Sequence, residues 1–325
     1  MDELQLGALV ASSLRMATPL LLCALAGVVS ERAGVIDLGL EGKMLMAAFA
    51  AGAAGASSGS FAIALAAALV VGVAMSMLHG WGCVTHRGDQ VVMGMALTLT
   101  AAGLSVVLGL AWFKLGGQTP PLPDALRLRP LWAVDPAALQ GLPTGLRGLA
   151  LALGSHNALV YGGFAAVAGV WWLLYRTRFG LRLRATGENP AMVDAAGVSV
   201  AGMRYAALAL NGVLAALAGL YLVMALNASF SPNMTAGRGY MALAAMIFGK
   251  WHPVGALAAC LLFGFLDASA IQLQGAALPT WLGGGEVPVQ AIQALPYVLT
   301  VVLLAGFIGR SRAPAALGRP YVKAR

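Results

Sequence analysis

Charged residues are scarce in this chain. Only 10% of its 325 residues are Asp, Glu, Lys or Arg, whereas soluble globular proteins carry about 25%. Hydrophobic residues make up 60%, and the mean hydropathy is +0.82. Several apolar runs approach the roughly 20 residues that a helix needs to cross a bilayer. The composition therefore excludes an ordinary soluble domain and predicts an all-α, polytopic helical membrane protein.

The sequence also lacks the motifs of common catalytic sites. It has no GxxxxGK[ST] phosphate loop, no HExxH and no GxSxG. Its three cysteines lie inside apolar runs, where we expect them to pack rather than to form disulfides or bind metal. Four histidines occur without metal-ligand spacing, namely His79, His86, His156 and His252. We therefore expect no catalytic residue, no metal site and no cofactor.

The apolar runs predict about nine membrane helices, with a range of roughly eight to ten. They lie at roughly 4–29, 39–56, 60–84, 89–113, 157–176, 204–226, 239–249, 253–272 and 295–309. Two are weak, because 39–56 carries Glu41 and Lys43 and because 239–249 is too short to cross alone. Glycines bracket both, so we interpret them as broken or re-entrant helices, with tight helix packing as the alternative.

Positive charge is distributed as in a membrane protein rather than as in a nucleic-acid-binding protein. The formal net charge is +8, but Lys and Arg lie mainly between the apolar runs. If residues 176–204 face the cytoplasm, fourteen Lys and Arg residues lie on that side and five on the other, with Arg15 inside the first run. This count predicts an N-terminus outside and a C-terminus in the cytoplasm. Residues 1–309 then form one transmembrane domain with an outer loop at about 114–156, and 310–325 form a basic, disordered cytoplasmic tail.

A polar insert at 176–204 separates two long apolar runs and carries five arginines. Within it Asn189 is a suitable N-cap, Pro190 fits the first helical position, and Gly197 fits the position just past the helix end. The pattern predicts a helix, PAMVDAA, of about two turns. A helix this short is unstable alone in water, so it needs support from the membrane domain, from a partner, or from both.

The predicted short helix has one small apolar face. Met192, Val193 and Ala196 recur at a spacing of three to four residues and form that face. A partner-binding helix and an interfacial helix lying on the bilayer are the two interpretations.

Ionisable residues within the apolar runs are too few for a proton or ion relay. Asp37 and Glu41 are four residues apart and would repel each other on a shared helix face, so we expect Arg32 or Lys43 near one of them. Asp267 is a candidate for the path and equally for a hydrogen bond between helices, whereas Asn211 is more typical of a hydrogen bond between helices than of a substrate contact. The candidate translocation-path residues are Asp37, Glu41, Asn211, Asn227, Phe230, Tyr240 and Asp267.

Five stretches in order resemble permease subunits of ATP-binding-cassette (ABC) importers, in the branch that handles simple sugars and nucleosides. They are TPLLLCALAG, ERAGVIDLGLEGKMLMAAFAA, GLRLRATGENPAMVDAAGVSVAGMRYAAL, NMTAGRGYMALAAMIFGKWHPVGALAACLLFG and LPYVLTVVLLAG, and they extend from residue 18 to residue 306. The ERAG, GLEG and AGRGYMALA elements are most similar to nucleoside-type permeases. Asp37 departs from that type, which commonly carries Asn at this position.

The resemblance implies a type II ABC importer fold in a bacterial plasma (inner) membrane. It implies two cytoplasmic ATP-binding subunits, a second permease subunit in a heterodimer, and an extracytoplasmic substrate-binding lipoprotein as partners, with no nucleic acid. The 176–204 insert matches the family's coupling loop, whose short helix inserts into a groove on the ATPase. The ATPase-coupling residues are then Gly187, Glu188, Asn189, Pro190, Met192, Val193, Ala196 and Gly197.

Two other functions stay open at this point. A stand-alone secondary transporter or facilitator for small polar solutes would work without partner chains, and the scarcity of buried charges disfavours it. A membrane scaffold or assembly subunit would carry no substrate, and only the family resemblance disfavours it. The sequence favours a non-catalytic translocation subunit for nucleosides or simple sugars, driven by separate ATPase subunits.

Overall fold

The fold is described from a computed structural model of the chain. The structure describes residues 3–132, 141, 143, 145–272, 277–278, 285–286, 290, 294, 298, 302 and 312–323. Most of the described part is helical, as the composition predicts. The described strands are a two-residue antiparallel pair, β1 (Ala277–Leu278) and β2 (Gly285–Glu286).

Eleven α-helices lie within the described residues. They are α1 (Glu3–Arg32), α2 (Leu40–Ser58), α3 (Phe61–Gly80), α4 (Gln90–Phe113), α5 (Leu146–Gly154), α6 (Ala158–Arg176), α7 (Arg178–Glu188), α8 (Pro190–Ala195), α9 (Val200–Tyr221), α10 (Arg238–Phe248) and α11 (Pro253–Gln272). One π-helical turn, Trp81–Thr85, continues α3, and a second, Leu222–Leu226, continues α9. A 3-10 turn lies at Asp124–Leu126.

Six of the described helices are long and apolar enough to cross a membrane: α1, α3, α4, α6, α9 and α11. Their burial differs sharply. In the most apolar stretch of α1 and of α9, 67% and 72% of the residues are buried, but in α4 only 22% are. Helices α1 and α9 therefore form the core together with α2. Helix α4 presents an apolar face to its surroundings, as expected in lipid or against another apolar chain.

The two weak predicted spans differ from each other in the structure. The 39–56 region is an uninterrupted 19-residue helix, α2, so the prediction of a broken helix there is wrong. Its charged residues, Glu41 and Lys43, are buried against protein rather than exposed at a break. The 239–249 region is the 11-residue α10, which is too short to cross a bilayer alone. The predicted span 295–309 lies outside the described residues except for 298 and 302.

The two ends of α1 mark the two ends of the helical domain. At the Glu3 end, the Glu3 carboxylate accepts the backbone N–H groups of Gly145 and Gly148, at the start of α5. At the Arg32 end lie α7, α8 and the turn at residues 249–252. The insert 176–204 and the residues at the start of α5 are therefore at opposite ends of the domain.

The first part of the predicted outer loop is held by backbone hydrogen bonds. The backbone N–H groups of Thr119, Leu122 and Leu128 donate to the carbonyls of Phe230 (3.1 Å), Ala228 (2.7 Å) and Met224 (2.9 Å), at the end of α9 and in the segment after it. These bonds satisfy backbone groups that would otherwise be unpaired in an apolar setting.

Close helix contacts depend on glycine at several crossings, one of which joins α3 and α9. Gly72 of α3 and Gly212 of α9 face each other, and an added side-chain carbon at either would lie 2.7 or 2.8 Å from atoms of the opposite helix. Small residues allow such an approach in membrane helices, where dispersion and hydrogen bonds replace the hydrophobic effect. This crossing brings the polar residues of α3 and α9 within hydrogen-bonding distance of each other.

Candidate functional site

The short helix predicted in the polar insert is present as α8, Pro190–Ala195. The Asn189 side chain accepts the Met192 N–H at 3.2 Å, and Pro190 occupies the first helical position. Gly197 has φ of 78°, a left-handed conformation that glycine adopts without strain. The predicted caps are therefore correct, and the helix ends one residue earlier than expected, with Ala196 at the C-cap.

The predicted apolar face of α8 is wrong in its composition. Val193 is buried, with 6% of its surface exposed, whereas Met192 is 68% exposed. Ala196 is also exposed. Val193 is the one residue of α8 that is buried against the domain, whereas Met192 and Ala196 are presented to the surroundings. An exposed methionine on a capped helix is available for contact with another chain.

Residues directly before α8 are fixed to the end of α1. Gly187 is buried and lies so close to the Arg32 carbonyl that a side-chain carbon at position 187 would overlap it. The Glu188 carboxylate accepts the Ala315 N–H at 3.2 Å. The chain that leads into α8 is thus held between α1 and the C-terminal segment, residues 312–323. A displacement of α8 would therefore act on both.

A buried polar cluster lies inside the domain, beyond the contact between Gly187 and the end of α1. Lys43 and Asp37 have no exposed side-chain surface, and Lys43 Nζ lies 2.6 Å from Asp37 Oδ2. The expectation that Arg32 or Lys43 lies near one of the two carboxylates is confirmed for Lys43. The premise of a shared helix face is wrong, because Asp37 lies in the turn before α2.

The cluster joins four helices through Asn211 and its neighbours. Asn211 Oδ1 accepts from Lys43 Nζ (3.0 Å) and from the Ser76 hydroxyl (3.0 Å). Asn211 Nδ2 donates to Asp37 Oδ2 at 2.7 Å and to the Ala26 carbonyl at 2.9 Å. The amide therefore links α1, α2, α3 and α9, and a buried polar network satisfied in this way fixes the relative positions of its members.

His79 completes the cluster, and sequence reasoning did not find it. Its Nδ1 lies 3.2 Å from Lys43 Nζ and 3.2 Å from Asp37 Oδ1. The Lys43 ammonium thus contacts three groups, on Asp37, Asn211 and His79. The spacing of Ser76 and His79, three apart on one face of α3, was the only available signal.

Glu41 has a separate role from the cluster. Its two carboxylate oxygens accept the backbone N–H groups of Gly237 (2.8 Å) and Gly239 (2.5 Å) at the start of α10. Gly237 has φ of 80°, and a side-chain carbon at Gly239 would lie 2.6 Å from the Glu41 backbone. A carboxylate at a helix N-terminus is favourable because the first N–H groups of a helix have no intrahelical partner. Glu41 therefore caps α10 from α2.

A strained turn follows α10 at the Arg32 end. Lys250 and Trp251 both have left-handed backbone angles, with φ of 55° and 54°. Trp251 Nε1 donates to the Glu31 carboxylate at 2.6 Å, and Arg32 Nε donates to the Trp251 carbonyl at 2.9 Å. Two non-glycine residues in this conformation cost energy and persist only where neighbouring contacts hold them.

The other predicted path residues do not gather with the cluster. Phe230 is buried on the Glu3 side, with its ring centroid 5.2 Å from that of Phe49, and Asn227 donates to the Leu222 carbonyl at 2.9 Å. Tyr240 is 43% exposed on α10. Asp267 is partly buried on α11, with Arg238 as an electrostatic neighbour. The structure thus brings Asp37 and Asn211 together, places Glu41 beside them in α2, and distributes the remaining four.

Comparison with known protein families defines the class. A family model described as "Branched-chain amino acid transport system / permease component" matches residues 9–306, which is almost the whole chain. The chain belongs to this family of transport-system permease components. The permease resemblance read from the five sequence stretches is therefore confirmed, and the apolar crossing helices agree with a multi-pass membrane protein.

Individual relatives are similar over most or all of their length. The guanosine ABC transporter permease protein NupQ of Bacillus subtilis (strain 168) is 35% identical over 100% of both chains. The nucleoside ABC transporter permease protein NupC of Lactococcus lactis subsp. cremoris is 36% identical over 98% of this chain and 97% of its own. The glucose ABC transporter permease protein TsgB13 of Haloferax volcanii is 26% identical over 93% of this chain and 78% of its own.

Proposed function

We propose that this chain is the translocation subunit of an ABC importer for nucleosides, with simple sugars as the second candidate cargo. The observation that carries the proposal is the full-length similarity to permeases whose names state guanosine and nucleosides. The similarity to a permease whose name states glucose covers 78% of that relative and supports the second candidate. The chain does not hydrolyse ATP in this proposal, and separate ATP-binding subunits supply that reaction. The absence of a phosphate-loop motif from the sequence supports this division.

The proposed topology places 176–204 and the C-terminus in the cytoplasm and the N-terminus outside. The excess of Lys and Arg in segments at one end of the domain supports this orientation. The location of 114–156 at the opposite end of α1 is consistent with it.

The proposed contact with the ATP-binding subunit is α8. This helix is capped, projects Met192 outward and is joined through Gly187 to the end of α1. The proposed assembly is completed by a second permease subunit in a heterodimer and by a substrate-binding lipoprotein outside, in the plasma membrane. The apolar outer faces of α3 and α4 are compatible with such a partner permease or with lipid.

In this proposal the buried cluster holds the helices and does not contact cargo. Asp37, Lys43 and Asn211 have no exposed surface, and each is bonded within the cluster. The same observation argues against a stand-alone secondary transporter, in which buried ionisable groups would line a water-filled path. The exposed Tyr240 and Asn227 are then the better candidates for the path among the seven predicted residues.

Uptake measurements test the cargo and the class together. The chain is reconstituted in liposomes alone, and again with the ATP-binding subunit, second permease and binding protein of the same genome. We expect ATP-dependent uptake of labelled guanosine only in the complete assembly, and weaker or no uptake of glucose. Uptake of either compound by this chain alone, driven by its gradient, would support the stand-alone facilitator and overturn the proposal.

A substitution on α8 tests the ATPase contact. Met192→Asp places a charge on the exposed face without touching the buried Val193, so the chain should insert normally. We expect loss of most substrate-stimulated ATP hydrolysis, while Met192→Leu retains it. Leu131→Asp, at the Glu3 end and 53% exposed, is the matched control and should leave binding of the ATP-binding subunit unchanged. Full coupling in Met192→Asp would contradict the assignment of α8.

A further inference from the structure

The C-terminal segment, residues 312–323, packs against the domain instead of extending into solvent as the sequence predicts. It lies beyond residue 306, where the match to the family model ends. Ala316 is 6% exposed, and Leu317 packs against the hydrophobic core. The prediction of a disordered tail is therefore wrong for the described part of it.

Three hydrogen bonds to backbone groups of this segment fix it to the domain. The Ala316 N–H donates to the Gly187 carbonyl at 2.8 Å, and the Gly318 N–H donates to the Gly34 carbonyl at 3.2 Å. The Arg319 carbonyl accepts from the guanidinium of Arg204, whose residue is 1% exposed, at 3.0 Å. Gly187 precedes α8, Gly34 precedes Asp37, and Arg204 lies in α9, so the segment connects all three regions.

Side chains of the same segment hold α8 directly. The Tyr321 hydroxyl donates to Asp194 Oδ2 at 3.0 Å, and Lys323 Nζ lies 3.5 Å from Asp194 Oδ1. Desolvation and the adjoining Asp194 carboxylate raise the pKa of Tyr321, so its hydroxyl keeps the donor proton at neutral pH. With Glu188 accepting from Ala315, the segment contacts the chain before α8 and the helix itself.

These contacts supply the support that α8 otherwise lacks. Six residues are too few for a helix to be stable alone, and only Val193 of α8 is buried in the domain. A cavity of about 410 Å³ opens between the end of α8, the turn after α3 and the C-terminal segment, with Arg87, Tyr321 and Lys323 among its lining residues. The segment therefore forms a wall of the surface that flanks α8.

We infer that residues 312–323 are a positioning element of the ATPase-coupling site: they hold α8 through Asp194 and tie it to the Gly34 turn and α9. The inference rests on the proposed function. Movement of the ATP-binding subunit would reach the buried cluster by two connections, through Gly187 and through this segment. Loss of the side-chain contacts would leave α8 folded onto Val193 but free to shift, so the ATP-binding subunit would bind a less preorganised surface.

The experiment measures binding of the ATP-binding subunit to the complete permease pair in detergent, together with the number of substrate molecules transported per ATP. The test variant is Tyr321→Phe with Lys323→Gln, which removes both side-chain contacts on Asp194. The control is Arg319→Gln, which removes one positive charge of the segment but retains the backbone contact to Arg204. We expect about tenfold weaker binding for the test variant, lower transport per ATP, and wild-type behaviour for the control.

A double-mutant cycle separates positioning from general damage. If Tyr321 and Lys323 act through Asp194, the paired substitution has no further effect in an Asp194→Ala background. Melting curves of each variant confirm that the domain is folded. Wild-type binding by the test variant, equal loss in the Arg319→Gln control, or additive effects in the Asp194→Ala background would each overturn the inference. If Met192→Asp also leaves coupling intact, the proposed function fails as well; if Met192→Asp uncouples, only this inference fails.

Discussion

Replacing Lys43 by Met should destabilise the domain more than any other single change in the buried cluster. Lys43 and Asp37 are fully buried, with Nζ and Oδ2 2.6 Å apart. Removing one partner of a buried ion pair costs about 3–5 kcal/mol, because the remaining charge stays buried without compensation. Asp37 would retain the Asn211 amide at 2.7 Å and the Gly39 N–H at 3.1 Å. We therefore expect a loss of stability near the lower limit, about 3 kcal/mol.

The reciprocal change and the double change give the size of the pair's interaction. Asp37→Asn leaves the Lys43 ammonium buried with neutral acceptors only, and we expect a cost of about 2 kcal/mol. The combination of Asp37→Asn with Lys43→Met contains no buried charge from the pair and should cost about 2 kcal/mol in total. The sum of the two single costs then exceeds the cost of the double substitution by roughly 3 kcal/mol, which is the expected coupling energy.

The measurement is unfolding of the purified domain in detergent, followed by loss of the monodisperse species on heating. Taking about 2 °C per kcal/mol for a chain of this size, Lys43→Met should melt roughly 6 °C below wild type. Ser76→Ala is the matched control, since it removes one neutral donor to Asn211 at 3.0 Å and should cost about 1 kcal/mol. Wild-type stability for Lys43→Met, or single costs that simply add in the double variant, would refute the conclusion that the cluster fixes the helices relative to one another.

Three further predictions concern the helix ends around the cluster. Glu41→Ala removes the acceptor of two N–H groups and should cost about 2–3 kcal/mol, seen as earlier proteolysis within α10; Glu41→Gln should recover part of it, and equal stability of all three chains would contradict the cap. Asn189→Ala should weaken α8 by about 1 kcal/mol and lower coupled ATP hydrolysis, with Asn189→Ser near wild type; no difference between the two would count against the cap's importance. Trp251→Phe removes the donor to Glu31 and should cost about 2 kcal/mol in a melting experiment, whereas an unchanged melting temperature would show that the bond does not hold the strained turn.

Local signals in the sequence were sufficient for the parts of the site that depend on neighbouring residues. The Asn189 cap and the Pro190 start of α8 were predictable because an N-cap interacts within its own first turn. The proximity of Lys43 to a carboxylate was predictable from the cost of burying like charges unpaired. In each case the interacting groups lie within six residues of each other.

Long-range contacts were not predictable in the same way. His79 and Asn211 both contact Lys43 because glycines allow α3 and α9 to approach closely, and no periodicity encodes that crossing. The C-terminal segment packs largely through backbone groups of Gly187 and Gly34, which carry no side-chain signal. The face of α8 was assigned wrongly because spacing alone does not tell which apolar residue, Val193 or Met192, meets the domain.

In the proposed function, α8 is the contact through which an ATP-binding subunit acts on this membrane domain. Photo-crosslinking from position 192 probes that contact, with a photoreactive amino acid replacing the exposed Met192 in the assembled transporter. We expect a crosslink to the ATP-binding subunit from position 192, and none from the same group at position 131 at the opposite end. No crosslink to that subunit from position 192, or equal crosslinking from both positions, would contradict the proposed contact.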